Sequence, residues 1–169
     1  MKIETIIGDY KIFLDKVFGR LKEAGFKLEE FKELDHIAYR TENIAEYEKM
    51  KKELLEFSKK YSEKMFGGRL ILICLLENPI VYNNFTINGF ELLAPKENSA
   101  HKKGLDHAEF VVKTTLPEFQ EKHKDIVFDL HAYAREENPE LVLHFENCTA
   151  KFHTRSLLEV RNIKNESLK

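Results

Sequence analysis

Apolar residues recur at helical spacing over Tyr10, Phe13, Leu14, Val17, Leu21 and Ala24. Asp9 ahead of them suits an N-cap and Gly25 behind them suits a stop, so the pattern predicts a first amphipathic helix. Asp35–Thr41 is short and rich in β-favouring residues and reads as a strand. Asn43 with Glu46 resembles a capping box, and Ile44, Tyr47, Met50, Leu54, Phe57 and Tyr61 form one apolar stripe, which predicts a second helix. Gly67-Gly68 breaks the chain before the buried-strand pattern Leu70–Leu76. Asn78-Pro79 then predicts a turn, and Ile80–Thr86 and Gly89–Ala94 predict two strands hinged at Asn88-Gly89. Pro95 and Lys96-Glu97-Asn98-Ser99 close the set in a polar loop.

The pattern then restarts. Asp106–Val112 reads as a strand, and Thr115 with Glu118 frames a short helix that buries Leu116 and Phe119. Ile126–Ala132 predicts a strand and Asn138-Pro139 a turn. Leu141–Glu146 and Thr149–His153 predict a hairpin around Asn147-Cys148, and Ser156-x-x-Glu159 opens a last helix. The order is helix, βαβββ, βαβββ, helix. This predicts an α+β fold in which two tandem βαβββ modules share one domain over residues 1–169. An N-terminal helical segment covers 1–33, the first module 34–97, and the second module with the C-terminal helix 104–165.

Composition narrows the function classes. A chain of 169 residues with 43% hydrophobic and 33% charged residues is long enough to bury a core and is not a disordered polymer. The formal net charge of −2 offers no basic excess for a nucleic-acid partner. The longest apolar run, Leu70–Leu76, is far short of a membrane span. Met1-Lys2-Ile3-Glu4 does not resemble a signal peptide, and Cys74 and Cys148 lack a CxxC partner, so two reduced thiols and a cytoplasmic location are expected.

The histidines carry the candidate chemistry. Asp35-His36 and Asp106-His107 open equivalent strands, and an aromatic residue, Tyr39 or Phe110, lies four positions after each Asp. Alternation puts His36, Ala38 and Arg40 on one face, and His107, Glu109 and Val111 on one face. Near the end of each module Phe90-Glu91 parallels Phe152-His153. Pairing each leading histidine with that counterpart collects His36, Glu91, His107 and His153 as four candidate ligands, suited to a divalent ion such as Zn, Ni, Fe(II) or Mn.

Asp35-His36-Ile37-Ala38, Glu91-Leu92-Leu93-Ala94-Pro95, Asp106–Val111, Asn138-Pro139 and Lys151-Phe152-His153-x-x-Ser156-Leu157-x-Glu159-Val160 resemble the pattern of YecM-like proteins. These are a branch of the vicinal oxygen chelate superfamily, with glyoxalase I, extradiol dioxygenases and bleomycin-resistance proteins. The resemblance runs from about Asp35 to Arg161. It implies a cupped mixed sheet around a divalent metal, with one ligand from the first and one from the fourth strand of each module, which map onto His36, Glu91, His107 and His153. Two places depart from the pattern: Glu91-Leu92-Leu93 replaces Glu-Leu-Pro, and Gly67-Gly68-Arg69 replaces Asn-Gly-Arg.

Each residue has a structural rival to its functional reading. His36 and His107 could be core histidines bonded to an Asp, and Glu91 could pair with Arg40 or Arg69. Glu159 competes with His153 for the fourth ligand, although a capping box with Ser156 would account for it. Glu109 could be a general base, a ligand, or a partner for Arg40. His123 falls in a solvated stretch, His101 in a polar loop, and His131 and His144 on strands where packing accounts for them. The expected function is metal-dependent isomerase or lyase chemistry on a small oxygen-chelating substrate, with Glu91 or Glu109 moving the proton. The alternative is a non-catalytic module of the same fold that sequesters a small molecule. Substrate and oligomeric state are left open by these patterns.

Overall fold

The computed structural model describes residues 2–96 and 102–163. Helices α1 (Glu4–Ile7) and α2 (Tyr10–Glu23) lead into strand β1 (Phe31–Arg40), then α3 (Ile44–Leu55), β2 (Ser58–Phe66), β3 (Arg69–Tyr82) and β4 (Phe85–Leu93). The second half comprises β5 (Gly104–Val112), α4 (Leu116–Lys122), β6 (Leu141–His144), β7 (Thr149–His153) and α5 (Leu157–Val160). All seven strands join one open sheet in the order β2-β3-β4-β1-β5-β7-β6. β1 runs parallel to β4 and β5 runs parallel to β7, while β1 and β5 meet antiparallel at the centre. The first strands of the two modules therefore lie side by side, and their polar side chains can meet. No helix among the described residues is long and apolar enough to cross a membrane.

Alternation along the central strands separates two environments. Ile37, Leu72, Phe90, Leu92, Phe110 and Phe152 point to the main core, where α2 supplies Phe13, Leu14, Val17 and Leu21. A ladder of rings fills the second half of that core, with Phe31 and Phe110 at 4.7 Å and Phe26 and Phe152 at 5.4 Å between centroids. The opposite face carries His36, Glu91, His107 and Glu109, all buried, and a smaller apolar cluster that includes Ala38, Ile73, Leu93 and Leu158.

Local chemistry explains the helix starts. Asp9 accepts from the backbone N–H groups of Lys11 and Ile12, and Asn43 accepts from Glu46 N. Thr115 and Glu118 form the full reciprocal capping box.

Several boundaries differ from the sequence expectation. The stripe through Phe57 and Tyr61 continues the helical spacing of α3, yet the helix stops at Leu55 and Ser58–Phe66 is a strand. This β2 is a largely exposed edge strand, with Tyr61 57% exposed, so its few apolar positions carry little period-two signal. Gly67 and Gly68, both at positive φ, turn it back into β3. Asn78-Pro79 is not a turn: β3 runs through it at an irregularity between Leu75 and Ile80 in its pairing with β4. Pairing with β2 has ended by Leu76, so the missing proline N–H removes no bond on that side. The reversal falls at Asn83-Asn84, with Asn83 in the left-handed region, and Asn88-Gly89 lies inside β4. The strand expected over Ile126–Ala132 is reduced to a single bridge between Asp129 and Val142. His101 and the loop residues Glu97, Asn98 and Ser99 lie outside the described residues.

Candidate metal centre

The two Asp-His pairs are placed by two β-bulges. In the β1–β5 ladder Leu34 pairs with Phe110 and His36 with Glu109, which leaves Asp35 as the extra residue on β1. Further along, Ala38 pairs with His107 and Tyr39 with Leu105, which leaves Asp106 as the extra residue on β5. A bulge interrupts strict alternation, so each Asp can turn toward the histidine beside it. Asp35 Oδ2 lies 2.8 Å from His36 Nδ1, and Asp106 Oδ2 lies 2.9 Å from His107 Nδ1. With Nδ1–H donating to a carboxylate, each ring directs Nε2 into the space between the strands.

One ligand atom from each of His36, Glu91, His107 and Glu109 lies within 4.8 Å of every other. His107 Nε2 stands 3.0 Å from Glu91 Oε2 and 3.2 Å from Glu109 Oε1; His36 Nε2 stands 3.5 Å from Glu109 Oε1 and 4.0 Å from Glu91 Oε2. These atoms are close but not aligned for hydrogen bonding, and His36 Nε2, His107 Nε2 and Glu91 Oε2 are buried without a bonded partner. Buried polar atoms are seldom left so, and three converging on one point suit a cation. Glu109 is anchored by Lys151, whose Nζ donates to Oε1 at 2.8 Å.

Electrostatics at this point favour positive charge. Burial opposes ionisation of Glu109, but Lys151 and then His36 and His107 hold its carboxyl well below the usual range. Burial disfavours charge on His107 as well, and Lys151 adds to that; Asp106, Glu109 and Glu91 outweigh both and push it up to about 9. His36 likewise overcomes its burial through Glu109 and Asp35 and sits well above its ordinary value. Carboxylates that draw a proton onto these imidazoles also favour a bound metal cation.

His153 stands one contact away, with Nε2 3.3 Å from Glu109 Oε2. Asn138 Nδ2 donates to His153 Nδ1 at 2.8 Å, which places the ring proton on Nε2, toward Glu109. The sheet register corrects the expected parallel between Phe90-Glu91 and Phe152-His153. Ala38 pairs with Glu91 in the first module, and Glu109 pairs with Lys151 in the second. Counting from each leading histidine, Lys151 is the counterpart of Glu91, and Glu109 is the counterpart of Ala38. A two-residue slip conserves the face of the sheet. His153 therefore still faces the site side, but stands farther along it.

The remaining candidates find other partners. Ser156 does not cap α5 through its own side chain; its Oγ donates to Asp35 Oδ1, and Leu157 N donates to Asp35 Oδ2 at 2.9 Å. The expected Ser156–Glu159 box is thus replaced by Asp35, which serves both the helix and His36. Arg40 pairs with neither glutamate: Nε and Nη2 donate to the two oxygens of Asp106 at 3.1 and 2.9 Å. His123 is not solvated; its side chain is buried against Phe26 and Phe119, with Nε2 2.6 Å from Glu30 Oε2. His131 and His144 are exposed and both contact Asp129. Both cysteines are buried and unpaired. A cavity of about 520 Å³ opens beside the cluster and reaches Glu91, His107 and Glu109.

Paired parallel first and last strands and an antiparallel seam between the modules describe a fold of the vicinal-oxygen-chelate type, and this chain carries a His/Glu cluster on that seam. The chain belongs to the YecM protein family, whose profile matches residues 2–163. In fold it is similar to a structural-genomics protein, EC4020, at a TM-score of 0.76 and 21% identity, covering 98% of this chain and 97% of that one. It is also similar to methylmalonyl-CoA epimerase from Mycobacterium tuberculosis, at a TM-score of 0.52 and 10% identity over 78% of this chain and 93% of that one. A hypothetical protein, BH1468 from Bacillus halodurans C-125, matches at a TM-score of 0.50 and 16% identity, over 81% and 98%. At these identities the likeness concerns the fold. No curated protein matches the chain.

Proposed function

We propose that this chain holds one divalent cation through His36 Nε2, His107 Nε2 and the carboxylates of Glu91 and Glu109, and acts on a small oxygen-chelating molecule in isomerase or lyase chemistry. The observation that carries this reading is the convergence of buried, unpartnered His36 Nε2, His107 Nε2 and Glu91 Oε2 beside an anchored Glu109. Two imidazoles and two carboxylates suit Zn, Ni, Fe(II) or Mn. When bound, such an ion supplies Lewis-acid polarisation of a substrate oxygen. A cavity of about 520 Å³ is of the size that takes small molecules.

The chain's own residues divide the remaining work. Asp35 and Asp106 fix the tautomer and angle of the two rings. Lys151 holds Glu109 charged and in place, and His153 Nε2 lies 3.3 Å from its second oxygen without a hydrogen bond to it. Glu91 has no lysine or arginine bound to it and opens onto the cavity, which fits it to accept a proton from a substrate carbon or hydroxyl. Glu109 is the second carboxylate of that pair, tied down and so suited to staying charged while Glu91 moves the proton.

Elemental analysis of protein purified without chelator tests the reading. It predicts about one divalent ion per chain, lost in His36→Ala and in His107→Ala. Protein that takes up no divalent ion on dialysis, with both variants as stable as wild type, contradicts it. An ion retained with no turnover of any 2-oxygenated small molecule favours the sequestering module instead.

A further inference from the structure

Two arginines beside the cluster have guanidinium atoms with nothing to bind. Arg40 is 8% exposed, and Asp106 occupies its Nε and Nη2, but its Nη1 is buried without a partner. Arg69, at the start of β3, also has a buried Nη1 without a partner. Both line the cavity that reaches Glu91, His107 and Glu109. Asp106 accepts from Arg40 Nε and Nη2 and also faces His107 Nδ1, and it makes no bond to Arg40 Nη1. Burial and then the neighbouring Arg40 push Arg69 down from its ordinary value, so the two cations repel each other across the cavity wall. A buried guanidinium N–H without an acceptor is costly, and two arginines with such atoms in the lining of one cavity suit the planar oxygens of an anion.

We propose that Arg40 and Arg69 form an oxyanion subsite beside the metal centre, so that the small molecule held there carries a carboxylate or phosphate group. The assignment rests on the proposed metal-dependent function for its placement, but the subsite itself needs no metal. The anionic group sits on the two Nη1 atoms, and the neighbouring oxygens of the same molecule face Glu91 and His107. Arg69 is the residue to vary, because Arg40 also positions Asp106 and through it His107.

The test is calorimetric titration of malonate, inorganic phosphate and uncharged malonamide into chelator-treated and ion-loaded protein, for wild type, Arg69→Gln and Arg69→Lys. Malonate or phosphate should bind, whichever binds tighter naming the group, and malonamide should bind at least tenfold more weakly. Arg69→Gln should weaken the anion at least tenfold and Arg69→Lys less, while the divalent-ion content stays as in wild type. Equal affinity for the anion in wild type and Arg69→Gln, or equal affinity for malonate and malonamide, overturns the subsite and leaves the metal reading standing. Anion binding that depends on Arg69 in protein that takes up no ion sinks the metal reading and keeps the subsite. Should Arg69→Gln fail to fold, the side-chain nitrogen NMR signals of Arg40 and Arg69 in wild type decide: malonate or phosphate must shift both, and unmoved signals at saturation overturn the proposal.

Discussion

The two modules solve one problem with different residues. Each opens with an Asp-His pair on a bulged strand, and in each the Asp braces Nδ1 of the His. Past that point they part. The first module places its carboxylate, Glu91, on its last strand opposite Ala38, whereas the second places Glu109 on its first strand opposite Lys151. The residue facing the histidine also differs: Gly89 lies opposite His36, and Thr149 lies opposite His107. What the halves share is the face of the sheet on which the donor stands, not the strand that donates it. Side chains two residues apart on a strand, or directly paired across a ladder, project to the same side. A cluster can therefore keep its centre while its members change strands.

The comparison breaks hardest at Glu109. Glu109→Ala takes the closest carboxylate from the half-buried Lys151 and leaves it Glu140 at 3.9 Å, and chemical denaturation should show a loss of about 3 kcal/mol. The double change Glu109→Ala with Lys151→Met should recover most of that stability without recovering ion affinity. Recovery of both would mean that Glu109 serves only the lysine.

The two braces come next. Asp35→Asn and Asp106→Asn should each weaken divalent-ion binding by roughly 10–100-fold, read by competition with a chromophoric chelator. Asp35→Asn should in addition loosen α5, because Asp35 also receives Ser156 Oγ and Leu157 N. Equal ion affinity in wild type and both variants would show that the Asp-His pairs are core histidines and no more.

The smallest effect separates Gly89 from Thr149. A Cβ on Gly89 would stand 2.8 Å from His36 Cβ and 3.0 Å from Asp35 O, so His36 or the backbone must shift. Gly89→Ala should destabilise by about 1–3 kcal/mol, as overpacking does, and displace His36. Thr149→Ala removes atoms and crowds nothing, so it should leave the His107 imidazole NMR signals unmoved. A Gly89→Ala protein with unchanged stability and an unshifted His36 imidazole signal would remove the steric argument.

How much of this could be read from the residues depends on what competes with the signal. The α2 stripe behind Asp9 is legible because one face of the helix is buried and the other is not; β1 and β5 are buried on both faces and are legible because polar residues on the site face alternate with apolar residues on the core face. The repeated Asp-His pair is legible because the same local chemistry occurs twice at the head of a strand. β2 is hidden because Phe57 and Tyr61 extend the helical spacing of α3 and an exposed edge strand has few apolar positions to contradict it. The run of β3 through Pro79 is hidden because a turn dipeptide outweighs a strand pattern locally, whereas the ladder has already released that segment on one side. The choice between His153 and Glu109 turns on a two-residue register shift. Period two cannot detect such a shift, since both residues face the same side. The residue-level clue to Glu109 is that it follows His107 by two positions on the same strand and so shares its face.

Anomalous diffraction from crystals soaked in a zinc or manganese salt tests the central claim most directly. The account predicts one strong peak on the seam between β1 and β5. That peak should lie about 2.0–2.2 Å from His36 Nε2, from His107 Nε2 and from one oxygen each of Glu91 and Glu109. No peak there, or a peak bound by His153 in place of Glu109, would contradict it.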